Sequence, residues 1–227
     1  RVKDAEEISL IRKAAHLTDI GMNAAVEAVK PGVHEYEVAA EAEYAMRIKG
    51  SDGTAFETIV ASGPRSAYPH GLCSDRVIHE GDFVTIDLGA MHRGYRCDIT
   101  RTVIAGKPSK KQQELFNLVL NAQKLGVESI HAGVKGKDAD SSVREALSKA
   151  GYGEYFIHGL GHGVGLDIHE PPSLSQTSED TLAEGNVVTV EPGVYLPKFG
   201  GVRIEDTVLV LKDYAERFTK TPKRITS

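Results

Sequence analysis

Hydrophobic positions along the chain follow two periods, one typical of helices and one typical of strands. Apolar residues recur at helical spacing in four segments, at about residues 4–30, 35–49, 109–131 and 138–149. Short β-branched runs follow each pair of helical segments, at residues 55–63, 82–87 and 95–104, then at 155–157 and in the run that ends at Glu191. Runs of helices followed by runs of strands predict an α+β fold.

The two halves of the chain repeat one pattern. The stretch EGDFVTIDLG begins at Glu80, and EGNVVTVEPG begins 104 positions later at Glu184. The glycines that end the helical segments also recur, at an offset of 101, as Gly32 with Gly133 and Gly50 with Gly151. Because the period is far longer than in repeat arrays, we expect one duplicated half-domain, spanning residues 4–106 and 109–212, with a pseudo-two-fold axis between the copies.

Each repeated strand ends in a carboxylate, and a second carboxylate follows it. These are Asp87 and Asp98 in the first half and Glu191 and Glu205 in the second. Buried carboxylates of this density stay ionised only beside compensating positive charge. With His162 they form an oxygen-rich set suited to Mn, Co or Fe, with Zn possible. Four carboxylates suit two cations about 3.5–4 Å apart, which would lower the pKa of a bridging water.

Three further histidines lie close to these positions in the sequence. His70 and His169 precede the first carboxylate of their halves by 17 and 22 positions, so they occupy comparable places. His158 lies four residues before His162, which would align two ligands on a helix, but the glycines of residues 159–165 disfavour a helix there. We therefore expect His158 to support the site or to face substrate, and the glycines to leave room for a substrate backbone.

Charge and composition exclude several classes of partner. The net charge is -5 and the isoelectric point is about 6.0, which argues against nucleic acid or an anionic membrane as a partner. No apolar run approaches the roughly 20 residues that a membrane span requires. The two cysteines, Cys73 and Cys97, are too few for a disulfide framework and are interpreted as reduced thiols of a cytoplasmic protein.

The order of these residues resembles the pita-bread metallopeptidases, which include methionine aminopeptidase, prolidase and aminopeptidase P. The similarity covers essentially all 227 residues. Its motifs are Pro69-His70-Gly71, Gly161-His162-Gly163-Val164-Gly165, His169-Glu170-Pro171, Val190-Glu191-Pro192-Gly193 and Val202-Arg203-Ile204-Glu205-Asp206. The resemblance implies two half-domains around a curved antiparallel sheet and two divalent ions. Mn or Co is expected, with Zn or Fe as alternatives.

The resemblance also implies a role for each metal ligand. Asp87 would bind one ion, and His162 and Glu191 would bind the other. Asp98 and Glu205 would bridge the two ions. The water held between the ions would attack the scissile carbonyl, and Glu191, or alternatively Glu205, would transfer its proton.

The same resemblance assigns the remaining histidines to substrate. His169 would hydrogen-bond the carbonyl oxygen, and His70 would lie on the leaving-group or proline side. Together with His158 they form the expected substrate-binding set.

Arg203 places the chain nearest the Xaa-Pro branch of the family, because methionine aminopeptidases usually carry Gln at that position. It would support the metal site as an ion-pair partner, and the alternative is a structural strand arginine. Some prolidases carry an arginine a few residues after the position of His169 that binds the free carboxylate of a dipeptide, whereas Ser173 follows here and no arginine lies between Arg144 and Arg203. This keeps aminopeptidase P open beside prolidase.

We therefore expect a dinuclear metallopeptidase that hydrolyses the bond before proline in Xaa-Pro dipeptides or longer peptides. The alternatives are a methionine aminopeptidase, a metal-free amidinohydrolase such as creatinase, and a non-catalytic peptide-binding module of the same fold. The resemblance leaves a homodimer open. It also suggests that the N-terminal domain of full-length members is missing from this chain.

Overall fold

The computed structural model describes residues 1–226, which form four α-helices and thirteen β-strands. The helices are α1 (Ala5–Ala28), α2 (Glu35–Ile48), α3 (Lys110–Glu128) and α4 (Gly136–Lys149). The strands are β1 (Gly53–Thr54), β2 (Ile59–Ser62), β3 (Phe83–Leu88), β4 (Ala90–His92), β5 (Tyr95–Arg96), β6 (Ile99–Ile104), β7 (Gly161–Gly163), β8 (Glu170–Leu174), β9 (Val187–Val190), β10 (Gly193–Leu196), β11 (Gly200–Arg203), β12 (Asp206–Val210) and β13 (Ala215–Arg217). The α+β prediction is confirmed.

The first half packs two helices on an antiparallel sheet. Helix α1 is capped by Asp4, whose carboxylate accepts from the backbone amides of Glu6 and Glu7, as expected for a capping box. Helices α1 and α2 pack on each other and cover the sheet β2-β3-β6. Their buried faces share one apolar core with that sheet, which includes Met22 and Ile86.

The second half repeats this arrangement with helices α3 and α4. They pack on each other and on the hairpin β10-β11 and the sheet β13-β12-β9-β7-β8, in which the strand pairs are antiparallel. A second apolar core lies between these layers and includes Val143 and Val190. No helix within residues 1–226 is both long and apolar enough to cross a membrane.

Matching hydrogen bonds recur in the two halves at the offsets of the sequence repeat. The amide of Gly32 donates to Ile78 O at 2.9 Å, and the amide of Gly133 donates to Leu182 O at 2.8 Å. Both glycines have positive φ, +94° and +91°, which favours glycine after a helix. Each helix pair is therefore attached in the same way to the turn before its carboxylate-bearing strand.

Asp206 is the buried polar centre of the second half. Its carboxylate accepts from Arg101 Nη2 at 2.8 Å, Lys223 Nζ at 2.5 Å and Thr219 Oγ1 at 2.9 Å. Burial opposes its charge, but the two cations outweigh burial and lower the pKa of Asp206 to about 2. This network joins β6, β12 and the C-terminal segment, and Arg101 also bonds the backbone carbonyl of Glu205.

The structure corrects the predicted segment at residues 155–157. It contains no strand, and a short 3-10 helix occupies Gly153–Tyr155. Arg144 explains the difference, because its guanidinium donates to the carbonyls of Phe156 and His158 at 2.7 Å. These carbonyls are therefore bonded to a side chain instead of a neighbouring strand.

Two other predicted strands are shorter or interrupted. The strand predicted at residues 55–63 begins only at Ile59. The one predicted at 95–104 breaks at Asp98, because the Thr207 hydroxyl bonds the backbone amide and carbonyl of Asp98 at 3.2 and 2.8 Å. The glycine-rich stretch, expected to be a turn, contains the short strand β7, and its partner β8 was not predicted.

Candidate metal centre and active site

One cavity of about 320 Å³ brings the sequence-predicted site residues together. It is lined by the five expected metal ligands, Asp87, Asp98, His162, Glu191 and Glu205, and by His70, His158, His169 and Arg203. The remaining lining residues are Phe56, Ile59, Pro69, Gly159, Gly161, Ile168, Ser173 and Ser175. The cavity therefore draws its polar groups from both halves of the chain.

The carboxylates lie at related positions on the two sheets. Asp87 lies within β3, and Asp98 immediately precedes the paired strand β6. In the second half Glu191 immediately follows β9, and Glu205 immediately precedes the paired strand β12. Antiparallel pairing brings the members of each pair to the same end of their sheet. His162 enters from β7, at an irregularity between Gly161 and Gly163.

The potential ligand atoms lie close enough to share cations. One ligand atom each from Asp98, His162 and Glu205 lies within 4.8 Å of the others. His162 Nε2 is 3.4 Å from Glu191 Oε1 and 3.7 Å from Asp98 Oδ2. Asp87 joins them as a lining residue of the same cavity.

The buried carboxylates are poorly compensated by the protein itself. Asp87 Oδ1, Asp98 Oδ1 and Glu205 Oε1 are buried and have no hydrogen-bond partner among residues 1–226. Burial, followed by the charge of neighbouring carboxylates, raises the pKa of Asp98 and Glu205 well above their ordinary values. Burial also raises the pKa of Glu191, to about 8. Orphaned oxygens on repelling carboxylates fit a site built for divalent cations.

His162 presents a suitable nitrogen to this cluster. Its Nδ1 lies 3.0 Å from Gly163 O, and because a carbonyl only accepts, Nδ1 carries the proton. Burial lowers the pKa of His162, so the ring is neutral and the Nε2 lone pair faces the carboxylates. A backbone contact that fixes the tautomer in this way is typical of metal-binding histidines.

Hydroxyl groups hold two of the carboxylates in place. Thr100 Oγ1 donates to Glu205 Oε2 at 2.6 Å. Thr189 Oγ1 donates to Glu191 Oε1 at 3.2 Å and accepts from the amide of His162 at 3.1 Å. These two threonines orient neighbouring side chains of the cluster and were not singled out from the sequence.

Arg203 is buried against the first carboxylate. Its Nη2 donates to Asp87 Oδ2 at 2.5 Å, and its Nε donates to Thr100 Oγ1 at 3.1 Å. Its Nη1 donates to Tyr195 Oη at 2.9 Å and to Pro69 O at 3.1 Å. Arg203 thus contacts an expected ligand and the loop that bears His70.

Tyr195 connects Arg203 to His158 and was not found from the sequence. His158 Nδ1 lies 2.8 Å from Gly159 O, so Nδ1 carries the proton, and Nε2 accepts from Tyr195 Oη at 2.8 Å. Burial and the charge of Arg203 lower the pKa of His158 to about 4. Both ring nitrogens of His158 are therefore occupied, which leaves its ring surface, instead of a nitrogen, for contact with substrate.

His70 and His169 differ from the other two histidines. Neither imidazole has a hydrogen-bond partner among residues 1–226, and both line the cavity. The His169 ring centre is 4.2 Å from that of His162. Burial and the proximity of His162 lower the pKa of His169, so its ring is neutral and retains one N–H donor. These two side chains are free to bond a ligand.

The loop that carries His70 is held by a buried glutamate. Glu35 is fully buried, and its carboxylate accepts from the backbone and hydroxyl groups of Ser62 and Ser74 at 2.7–3.0 Å. The Arg65 guanidinium also bonds this carboxylate. Glu35 therefore ties both ends of the loop to α2. Its position at the start of a helix gave no sequence signal of this role.

The sequence matches a family of known proteins. The profile of metallopeptidase family M24 matches residues 9–212. The Xaa-Pro dipeptidase of Pyrococcus furiosus is 52% identical over 224 residues, which cover 99% of this chain and 64% of that protein. The chain thus spans less than two thirds of the length of this curated relative.

Solved structures similar to this chain include the same kinds of peptidase. A prolidase from Pyrococcus horikoshii has a TM-score of 0.97 and 50% identity, and the match covers 99% of this chain and 65% of that one. An X-Pro aminopeptidase from Thermotoga maritima has a TM-score of 0.96 and 44% identity, covering 99% and 64%. The expected pita-bread fold and the family resemblance are confirmed.

Proposed function

Because the chain belongs to metallopeptidase family M24, we propose that it hydrolyses the peptide bond before proline in Xaa-Pro substrates. The names of its relatives support this reaction, since they include Xaa-Pro dipeptidases and an X-Pro aminopeptidase. The observation that carries the proposal is the cluster of three buried carboxylate oxygens without hydrogen-bond partners in one cavity with free histidines.

We assign the metal ligands as the sequence predicts. Asp87 would bind one divalent ion, His162 and Glu191 the other, and Asp98 and Glu205 would bridge them. The two ions would supply an activated water and polarise the scissile carbonyl. Mn or Co suits this oxygen-rich set, with Zn or Fe as alternatives.

Side chains in the cavity would transfer protons and stabilise the negative charge that develops on the carbonyl oxygen. The Glu191 carboxylate, or alternatively that of Glu205, would accept the proton of the attacking water and deliver it to the leaving nitrogen. The neutral His169 ring retains an N–H that can donate to the carbonyl oxygen, a contribution of about 3–4 kcal/mol for comparable donors. His70 would contact the proline side, and the His158 ring would form part of the wall.

Arg203 has a supporting role in this proposal. It neutralises part of the charge of Asp87 and, through Tyr195, fixes the orientation of His158. It therefore acts on the site without contacting the reacting atoms.

A second candidate is the cleavage of longer Xaa-Pro peptides. Among the described residues that line the cavity, Arg203 is the one arginine or lysine, and it is already bonded to Asp87, Thr100, Tyr195 and Pro69. The wall that includes Ser173 offers hydroxyl groups instead of a cation. A free dipeptide carboxylate would lack a permanent cationic partner there, which favours substrates that continue beyond proline.

Steady-state kinetics on three substrate classes tests the proposal. We expect the metal-loaded protein to cleave Xaa-Pro dipeptides or Xaa-Pro-Yaa peptides with a kcat/KM at least about tenfold above that for a Met-Ala peptide. Glu191→Ala should abolish turnover and reduce bound metal. Preference for the Met-Ala peptide would indicate a methionine aminopeptidase. Folded protein that binds metal but cleaves none of the three would indicate a binding module.

The remaining expectations concern where the protein acts and with what. Cys73 and Cys97 are both free thiols, which supports a reducing compartment such as the cytoplasm. The net charge of -5 supports a protein that does not bind nucleic acid or anionic membranes. The proposal includes a homodimer, which sedimentation would test.

A further inference from the structure

A buried ion pair joins the N-terminal segment to the hairpin that carries two of the cavity histidines. Lys3 Nζ lies 2.6 Å from Glu170 Oε1, and the two side chains are 4% and 19% exposed. Glu170 directly follows His169 in the chain, yet neither Lys3 nor Glu170 lines the cavity. The ion pair therefore lies outside the lining of the cavity.

Glu170 is also one of the paired residues of the β7-β8 hairpin. It is the strand partner of Gly163, which directly follows His162. The register shifts between Gly161 and Gly163, so the Gly163–Glu170 pairing is the ladder contact nearest to both histidines. Movement of Glu170 would therefore change the position of His169 relative to His162, whose rings are 4.2 Å apart.

The Glu170 carboxylate is packed closely between two backbone segments. On one side, the amide of Lys3 donates to Gly185 O at 2.9 Å and Val2 bridges to Asn186, which fixes the position of the lysine. On the other side, a Cβ at Gly165 would lie 2.6 Å from Glu170 Oε2. The carboxylate is thus held between the Lys3 ammonium and the turn at Gly165.

The position of the His169 ring depends on how Glu170 is held, because the His169 side chain itself is not anchored. Its imidazole has no hydrogen-bond partner among residues 1–226, so its position is set by the backbone on either side. We propose that Lys3 is a positioning residue for His169, acting through its ion pair with Glu170. This inference rests on the proposed hydrolysis, in which His169 contacts the scissile carbonyl.

The first test removes the ammonium and keeps a long apolar stem. We expect Lys3→Met to lower kcat about ten- to hundredfold, as small misplacements of catalytic groups do, with bound metal unchanged. Lys3→Arg, which retains the ion pair, should restore most of the rate. Arg12→Met is the control for loss of an ion pair away from the hairpin, because it removes the more exposed pair between Arg12 on α1 and Glu216 on β13, and it should change kcat by less than about twofold.

The second test asks whether the effect passes through His169. In a His169→Ala background, Lys3→Met should lower kcat by less than about twofold further, because residues acting through one group are not additive. Equal losses in both backgrounds would show a general structural role and overturn the proposal. If Lys3→Met does not fold, the neutral pair Lys3→Met with Glu170→Gln provides the variant, since it leaves no buried charge unpaired.

A readout independent of turnover completes the design. The Gly165 amide donates to Asp167 O at 3.0 Å, and in metal-free Lys3→Met protein its hydrogen exchange should be faster than in the wild type, while the Gly133 amide is unchanged. Unchanged exchange with full kcat would refute the positioning role. Failure of the wild-type protein to cleave any Xaa-Pro substrate would instead refute the proposed function, whatever the exchange shows.

Discussion

The carboxylate cluster should make the metal-free protein less stable at high pH, and Glu191→Gln should remove part of that loss. The folded-state pKa of Glu191 is raised from 4.5 to about 8 by burial. A raised carboxyl pKa gives stability that is complete below the unfolded-state pKa and is lost as pH rises through the folded-state pKa. The relevant window therefore runs from about pH 4.5 to just above pH 8.

The size of the effect follows from the shift. Each pKa unit corresponds to about 1.36 kcal/mol, so ionising Glu191 costs the folded state at most about 5 kcal/mol. The pKa values of the neighbouring Asp98 and Glu205 are also raised, and the three carboxylates repel one another. The contributions of the three carboxylates to the pH dependence are therefore not additive. We expect Glu191→Gln to recover at least about 2 kcal/mol of the loss between about pH 6 and pH 9.

Urea unfolding of chelator-treated protein at about pH 6 and about pH 9 measures this difference. Glu114→Gln is the control, because that carboxylate is 66% exposed and should leave the pH dependence unchanged. Added Mn should reverse the order of stabilities, since it binds the wild-type cluster and Glu191→Gln removes a ligand. An identical pH dependence for Glu191→Gln and wild type without metal would refute the account of the buried cluster.

Three further substitutions test other parts of the structure. Asp206→Asn should lower the free energy of unfolding by about 2–4 kcal/mol at pH 7 in urea titrations, and a variant as stable as the wild type at pH 7 would contradict this. The stabilisation by the Asp206 carboxylate, whose pKa is about 2, is complete above about pH 4 and is lost as the pH falls through about 2. Tyr195→Phe should reduce kcat/KM about tenfold, corresponding to about 1.4 kcal/mol, because His158 loses the hydroxyl bonded to its Nε2, and unchanged kinetics would count against that contact. Glu35→Gln should release the loop of His70, seen as faster proteolysis and a higher KM with normal metal content, and an unchanged KM would argue against it.

Much of the architecture follows from patterns that survive in a single sequence. The long helices were predictable because apolar spacing and capping residues such as Asp4 are local signals. We inferred a duplication because similar residues recur around the carboxylate-bearing strands of both halves. Metal ligands could be proposed because several carboxylates on apolar strands stay ionised when buried only beside compensating positive charge, which bound cations supply.

The residues that the sequence did not reveal act through long-range contacts. Tyr195 bonds Arg203 and His158, Glu35 bonds a loop that begins 27 positions later at Ser62, and Lys3 bonds Glu170, 167 positions away. These pairs follow no repeating spacing along the sequence, so the pattern of residue types does not indicate them. The strand predicted at residues 155–157 was wrong for a similar reason, because the Arg144 side chain bonds carbonyls that a neighbouring strand would otherwise bond.

We propose that five side chains from both halves hold two divalent ions that support cleavage before proline. Release of proline from an Xaa-Pro peptide, measured against the number of Mn ions bound per chain, tests it most directly. We expect release to rise with bound metal and to level off at about two ions per chain, and to disappear after chelation. Full release from metal-free protein, or no release from folded protein with two ions bound, would contradict the account.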